Sequence, residues 1–359
     1  MTALVILHHT AITYGGSGGW FWKELETSSA PSSILLTLFC ATNQAYFMGF
    51  FFLLAGYFTP GSLQKKGYVR FLADRILRLG IPLLAFILVL GPLTAAIVTY
   101  VQGEGFWPTI RSLWQHQRII NGPLWFAQAL LIFALAYAGG RRFIARPEAV
   151  SVEPSRVPGY RAWLFGALGT AAGALLIRQF VPVGENVFGL QIGYFSSYIF
   201  LFAVGVAAWR HDWLRQLEWR HARPWIITLM VAWPCLPISI AIARASAGHG
   251  KVNFGSGFSW AAILYALWEP LVAWGLIASW LLLFRRYMNQ PSAFWDWLNR
   301  RAYAVYILHP PILVSIALLL HHWSAPALLK FSVTGTLACV ACWLIADPFV
   351  RCPGIRRIV

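Results

Sequence analysis

The stretch Leu79-Gly80-Ile81-Pro82-Leu83-Leu84-Ala85-Phe86-Ile87-Leu88-Val89-Leu90 runs on without a charge to Val101, and Arg75 and Arg78 stand just before it. A helix needs about 20 mostly apolar residues to cross the hydrocarbon core of a bilayer, and this segment has enough. The pattern recurs. Ten apolar segments, each bounded by charge, Gly or Pro, cover approximately 2–14, 34–58, 79–101, 122–139, 162–181, 192–209, 224–243, 258–284, 302–320 and 326–346.

Composition agrees. Of the 359 residues, 58% are hydrophobic and only 11% charged, and the mean hydropathy is +0.62. A soluble domain is nearer half apolar and a quarter charged, so a soluble enzyme, a disordered chain and a secreted disulfide scaffold are excluded. The expected fold is all-α: a polytopic transmembrane bundle of about ten spans, organised as one integral domain over the whole chain. No repeat, low-complexity tract or signal peptide is evident.

The net charge of +16 would suggest nucleic acid as the partner of a soluble protein. Here the cations map to loops, so the expected partner is the lipid bilayer and no nucleic acid. Seven Lys and Arg fall in the odd connections: Lys23, Arg111, Arg118, Arg178, Arg244, Lys251 and Lys330. The other 21 of the 28 lie within residues 65–78, 141–161, 210–223, 285–301 and 351–357. A three-to-one bias of this sign predicts that both termini face the cytoplasm. Cys339 and Cys342 form a C-x-x-C inside an apolar run and read as packing residues, since thiolates need polar surroundings.

The first segment is short. Only about thirteen residues precede the Gly15-Gly16 break, against roughly 20 for a span, and no basic anchor flanks it. Either this helix is half inserted, or the true start lies upstream of Met1, which is the favoured expectation.

Titratable groups at bilayer depth are expensive and are therefore the first functional candidates. They are His8 and His9, Glu269 in Trp268-Glu269-Pro270, and His309 in Leu308-His309-Pro310-Pro311. Asp347 lies nearer a membrane face and reads equally as interfacial. At about 1.5 Å per residue, His9, Glu269 and His309 share a level near the midplane. The plain alternative for each is a buried polar side chain bonded to a neighbouring helix. An imidazole at that level serves as base and acid, and a carboxylate can orient it. Pro270, Pro310 and Pro311 interrupt backbone hydrogen bonds beside these groups, as tolerated where helices line a cavity. No His spacing supports a metal site, so none is expected. Successive helical residues point about 100° apart, so His8 and His9 cannot face one cavity.

Downstream of Phe51–Phe58, a basic stretch holds Arg70, Arg75 and Arg78. Val69, Leu72, Ile76 and Leu79 fall on one face of it, predicting an amphipathic helix that leads into the third span. Its cations suit lipid headgroups or the phosphates of a nucleotide thioester. Gly56 suits close helix approach.

Five motifs then stand in order: Leu7-His8-His9-Thr10; Phe52-Leu53-Leu54-Ala55-Gly56-Tyr57-Phe58; Arg75, Arg78 and Leu79 followed by Pro82-Leu83-Leu84; Gly122-Pro123-Leu124-Trp125-Phe126; and Tyr303-Ala304-Val305-Tyr306-Ile307-Leu308-His309-Pro310. Together they resemble the family-three membrane acyltransferases, with a likeness to their glucan biosynthesis branch, over nearly the whole chain. The resemblance implies a multi-pass enzyme of the bacterial inner membrane. It implies that an acyl group, acetyl or succinyl in class, passes from a cytoplasmic acyl-CoA to a hydroxyl of a carbohydrate or glucan. Acyl-CoA is then a donor substrate, and no bound cofactor is expected.

The family's functional His matches His9. The family also pairs that His with an Arg ten residues to its cytoplasmic side, a position that here falls before Met1. The expected chemistry places the donor phosphates near Arg70, Arg75 and Arg78. His9 is the base, or carries the acyl group as an acyl-imidazole, and Glu269 or His309 orients it or moves the proton. The rival expectation is a proton-coupled transporter or flippase, which also uses midplane His and Glu.

Overall fold

The computed structural model describes residues 1–143, 153, 155–246, 252–290, 292–355 and 358. Arg146, Lys251, Arg356 and Arg357 of the loop charges, and the Arg244 side chain, lie outside that description. Eleven helices carry the fold: α1 (Thr2–Thr13), α2 (Pro31–Lys66), α3 (Tyr68–Val101), α4 (Phe106–Gln115), α5 (Gly122–Phe143), α6 (Tyr160–Ile177), α7 (Ile192–Arg210), α8 (Trp219–Ala243), α9 (Trp260–Tyr287), α10 (Ala293–Leu319) and α11 (Ala327–Arg351). Among the described residues there is no strand, only two isolated bridges.

All ten expected apolar segments are helical. Nine helices, rather than ten, are long and apolar enough among the described residues to cross a bilayer. The exception is α1. Its twelve residues rise only about 18 Å, short of the hydrocarbon thickness. The short α4 is an element the hydropathy pattern did not announce.

The helices form two compact units that alternate along the chain. Unit 1 comprises Met1–Ala41, Leu72–Leu135 and Pro291–Val359, and unit 2 comprises Thr42–Phe71 and Ala136–Gln290.

In unit 1, α1 is enclosed by protein. Ile6 is fully buried in a cluster with Ala304, Val305 and Leu313 of α10 and Ala338, Cys342 and Ala346 of α11. Cys342 is thus a core residue, with Cys339 packed against the same cluster. A Cβ on Gly335 would strike Leu7, so glycine there lets α11 approach α1 closely. The ends of α10 and α11 are tied by Arg301, whose Nε donates to Asp347 Oδ1 at 2.6 Å, while Arg351 reaches Asp347 Oδ2 at 2.6 Å. Asp347 is therefore a charge partner at a helix end. On the segment after α1, Glu24 pairs with the buried Lys330 at the start of α11.

Helix α3 contains two π turns, Ile76–Gly80 and Phe86–Leu90. Each ends just before a proline, Pro82 or Pro92. Proline lacks an N–H and crowds the carbonyl four residues back, and a π turn absorbs that misfit. The crowded carbonyls are not left bare. Arg78 O accepts from Tyr303 Oη at 2.6 Å, and Leu88 O accepts from Trp114 Nε1 at 3.2 Å. The expected amphipathic face is corrected too: Val69 and Ile76 are 82% and 53% exposed, whereas Phe71 and Leu79 are buried, because the side that packs on protein runs through Phe71 rather than through Val69.

In unit 2, the anticipated close approach is realised by two glycines. A Cβ on Gly56 of α2 would collide with the Phe202 carbonyl of α7, and one on Gly205 would collide with the Leu53 carbonyl. Arg178 at the end of α6 and Glu269 of α9 form a 2.5 Å ion pair whose side chains are 2% and 8% exposed.

Candidate functional site

The residues expected to act together divide between the units. His9, His309, Arg75 and Arg78 belong to unit 1, and Arg70 and Glu269 to unit 2. Arg70 is exposed.

In unit 1, α1 and α10 bring the His9 and His309 rings to 5.5 Å between centroids, with planes 16° apart. Trp20, from the segment after α1, stacks on His9 at 3.9 Å and 15°. It lies 5.9 Å from His309 at 8°. His9 keeps partial exposure, while His309 is 0% exposed. His8 is buried and meets His9 edge-on, with planes 83° apart. The two neighbours do point in different directions, and His9 is the one on the open side.

Three nitrogens of this cluster are buried without a hydrogen-bond partner: His9 Nδ1, His309 Nε2 and Trp20 Nε1. Buried polar atoms are nearly always satisfied, so a concentration of orphans marks a site kept ready for another group. Thr10 and Thr13 hydroxyls are spent on the helix itself, on Ile6 O at 2.8 Å and His9 O at 3.1 Å.

Helix α10 joins this cluster to the basic stretch. Tyr303, Tyr306 and His309 stand at successive three-residue steps. Tyr303 binds the Arg78 carbonyl, Tyr306 Oη donates to Pro123 O, and His309 meets His9. Six residues separate Tyr303 from His309, about 9 Å along a helix axis. Arg78 pairs with Asp74 at 3.1 Å.

In unit 2, Arg178 Nε also donates to Gly193 O at 3.0 Å. Its guanidinium lies 5.3 Å from the ring centres of both Tyr194 and Tyr265. Glu269 is thus held by a cation that the sequence pattern placed in a loop. Among the described residues, no group of three or more His, Cys, Asp or Glu is placed to hold a metal.

Trp20 escaped the sequence reading. Its only signal was the aromatic run Trp20-Phe21-Trp22 after a glycine-rich turn. Arg178 was counted as a helix-end cation, and nothing local pointed to a partner 91 residues away.

The structure thus brings two imidazoles, groups able to take up and release a proton, together within a helical membrane protein. The chain belongs to the acyltransferase domain family, the family-three membrane acyltransferases, which it matches over residues 2–347. It is similar to the glucans biosynthesis protein C of Salmonella paratyphi A and of Salmonella agona, 22% identical over 301 residues that cover 80% of this chain and 74% of each relative. No solved structure matches it. The chain is a multi-pass membrane O-acyltransferase.

Proposed function

We propose that the enzyme moves an acyl group of the acetyl or succinyl class from a cytoplasmic acyl-CoA to a hydroxyl of a carbohydrate or glucan at the bacterial inner membrane. The observation that carries this reading is the partly exposed His9, stacked on Trp20 and backed by the sealed His309, in a chain of this family. The name of the Salmonella relatives supports a glucan as acceptor. Both termini lie in the cytoplasm, as the loop charges favour, and α1 is the tenth membrane element.

In the direct form of the reaction, His9 removes the proton of the acceptor hydroxyl as its oxygen attacks the thioester carbonyl. The carbon–sulfur bond then breaks, and the leaving thiolate takes that proton from His9 to leave as coenzyme A. In the relay form, a His9 nitrogen attacks the thioester carbonyl, the carbon–sulfur bond breaks and coenzyme A leaves with the ring's proton. The acceptor hydroxyl then attacks the acyl-imidazole, and its proton returns to His9 as the carbon–nitrogen bond breaks. Arg75 and Arg78 hold the donor's phosphates. His309 supports His9, and Glu269 serves chiefly as the counter-charge of Arg178.

The decisive comparison is between the adjacent histidines. Acyl transfer per folded protein is expected to vanish in His9→Ala and to survive largely in His8→Ala. Activity in both variants would remove chemistry from α1 and favour a proton-coupled transporter.

A further inference from the structure

The segment that follows α1 folds back on its end. Glu24 N and Leu25 N both donate to Thr13 O, at 2.9 and 3.2 Å, using a carbonyl that the last turn of the helix leaves free. Glu24 is thereby fixed beside the start of α11, and its side chain is only 7% exposed. One carboxylate oxygen, Oε1, accepts from Lys330 Nζ, which also donates to His321 O at 3.1 Å. The other, Oε2, is buried and receives no hydrogen. His321 Nδ1 lies 3.6 Å from it, beyond hydrogen-bond range, and is itself unpartnered. The Trp22 indole N–H is a third buried group without a partner, and its ring meets that of His321 edge-on at 5.3 Å.

Three orphans in one cluster call for a common ligand, because buried polar groups are nearly always satisfied. The groups themselves say what fits. A carboxylate oxygen needs a donor, an indole N–H needs an acceptor, and a neutral imidazole nitrogen takes either role. A hydroxyl is donor and acceptor at once. Lys330 balances the charge of Glu24, so nothing draws an anion, and the free carboxylate edge repels one. Among the described residues, no third ligand completes a metal site around Glu24 and His321. A neutral polyhydroxyl compound answers all three groups, and the flat apolar face of an indole beside its N–H suits a sugar ring. The His321 side chain is 36% exposed, so the cluster reaches the surface.

Its place along the helices is equally informative. Thr13, which binds Glu24, lies four residues beyond His9, about 6 Å along α1. His321 follows the C-terminal end of α10, whereas Tyr303 and the Arg78 carbonyl it binds lie on the other side of His309. Trp22 is two residues from Trp20, which stacks on His9. Trp20, Phe21 and Trp22 all pack against Val98, Val314 and Leu318. The cluster therefore stands on the side of the imidazoles away from the arginines, and leaves the arginine side to the donor.

We propose that Glu24, His321 and Trp22 form the subsite for the acceptor carbohydrate, with Glu24 Oε2 accepting from a sugar hydroxyl and Trp22 Nε1 donating to a sugar oxygen. This deepens, and rests on, the reading of a carbohydrate as the acceptor. Lys330 anchors the carboxylate by one oxygen and leaves the other to read the hydroxyl.

The test uses the full chain in lipid nanodiscs, with linear β-linked gluco-oligosaccharides as the probe and binding measured by calorimetry without acyl-CoA. The parent should bind the probe saturably. Glu24→Gln keeps an oxygen for Lys330 but turns the free acceptor into a donor, and Trp22→Phe keeps an aromatic ring while removing the N–H. Each should raise the Kd about tenfold and the KM for the oligosaccharide in step, with the KM for acyl-CoA within twofold. His321→Gln should shift binding in the same direction. Equal Kd values in parent and folded variants would return Glu24 to a structural ion pair and overturn the subsite, as would a change confined to the KM for acyl-CoA. If Glu24→Gln does not accumulate, Trp22→Phe decides. An absence of saturable binding to the parent overturns the subsite together with the glucan reading. Binding beside a failed acyl-CoA assay would count against the donor and leave the subsite standing.

Discussion

An imidazole lying on an indole face gains when it becomes charged, because the ring quadrupole attracts a cation at close range. That is the position of His9 on Trp20. The attraction is worth about 0.5–2 kcal/mol, which converts to roughly two- to thirtyfold in rate. Trp20→Leu is expected to lower kcat within that range while KM for the donor holds, and Trp20→Phe to keep more of the activity. Steady-state kinetics on the two variants read this directly, and a loss confined to KM would assign Trp20 to donor binding. The two histidines of the site were legible in the sequence because an ionisable group in an apolar run is conspicuous. Trp20 was not, because a loop residue takes its position from tertiary contacts that no local pattern encodes. Glu269 was found for the same reason as the histidines, yet its partner Arg178 was hidden in the loop count.

At the level of helices, proline positions proved as informative as hydropathy. Length and apolarity located every span, since the bilayer imposes both. The same signal passed over α4, whose buried contact is chiefly Ile110, because a ten-residue half-polar helix satisfies neither criterion. The π turns in α3 were also invisible, although Pro82 and Pro92 are their cause. The first of these turns sets the approach of Arg75 and Arg78 and is joined to α10 through Tyr303. Replacing both arginines is expected to raise the apparent KM for acyl-CoA about tenfold or more, each lost charged hydrogen bond being worth about 1.5–3 kcal/mol, with protein abundance unchanged. Equal KM values in variant and parent would return the pair to lipid headgroups.

For the whole molecule, the charge bias makes a topological prediction. A reporter fused after Val359 should be active only in a form that works in the cytoplasm, and signal from a periplasm-only reporter there would reverse the orientation. The alternation of the two units has another effect, on the order of assembly during synthesis. Unit 2 has all its segments once Gln290 has left the ribosome. Unit 1 does not, because α1 precedes all of unit 2 whereas α10 and α11, which pack against it, follow it. Until Ala346 is made, the helix bearing His9 has its contacts with Leu36 and Cys40 of α2 but lacks those with α10 and α11. The core around Ile6 of α1 therefore cannot close until α10 and α11 have been made.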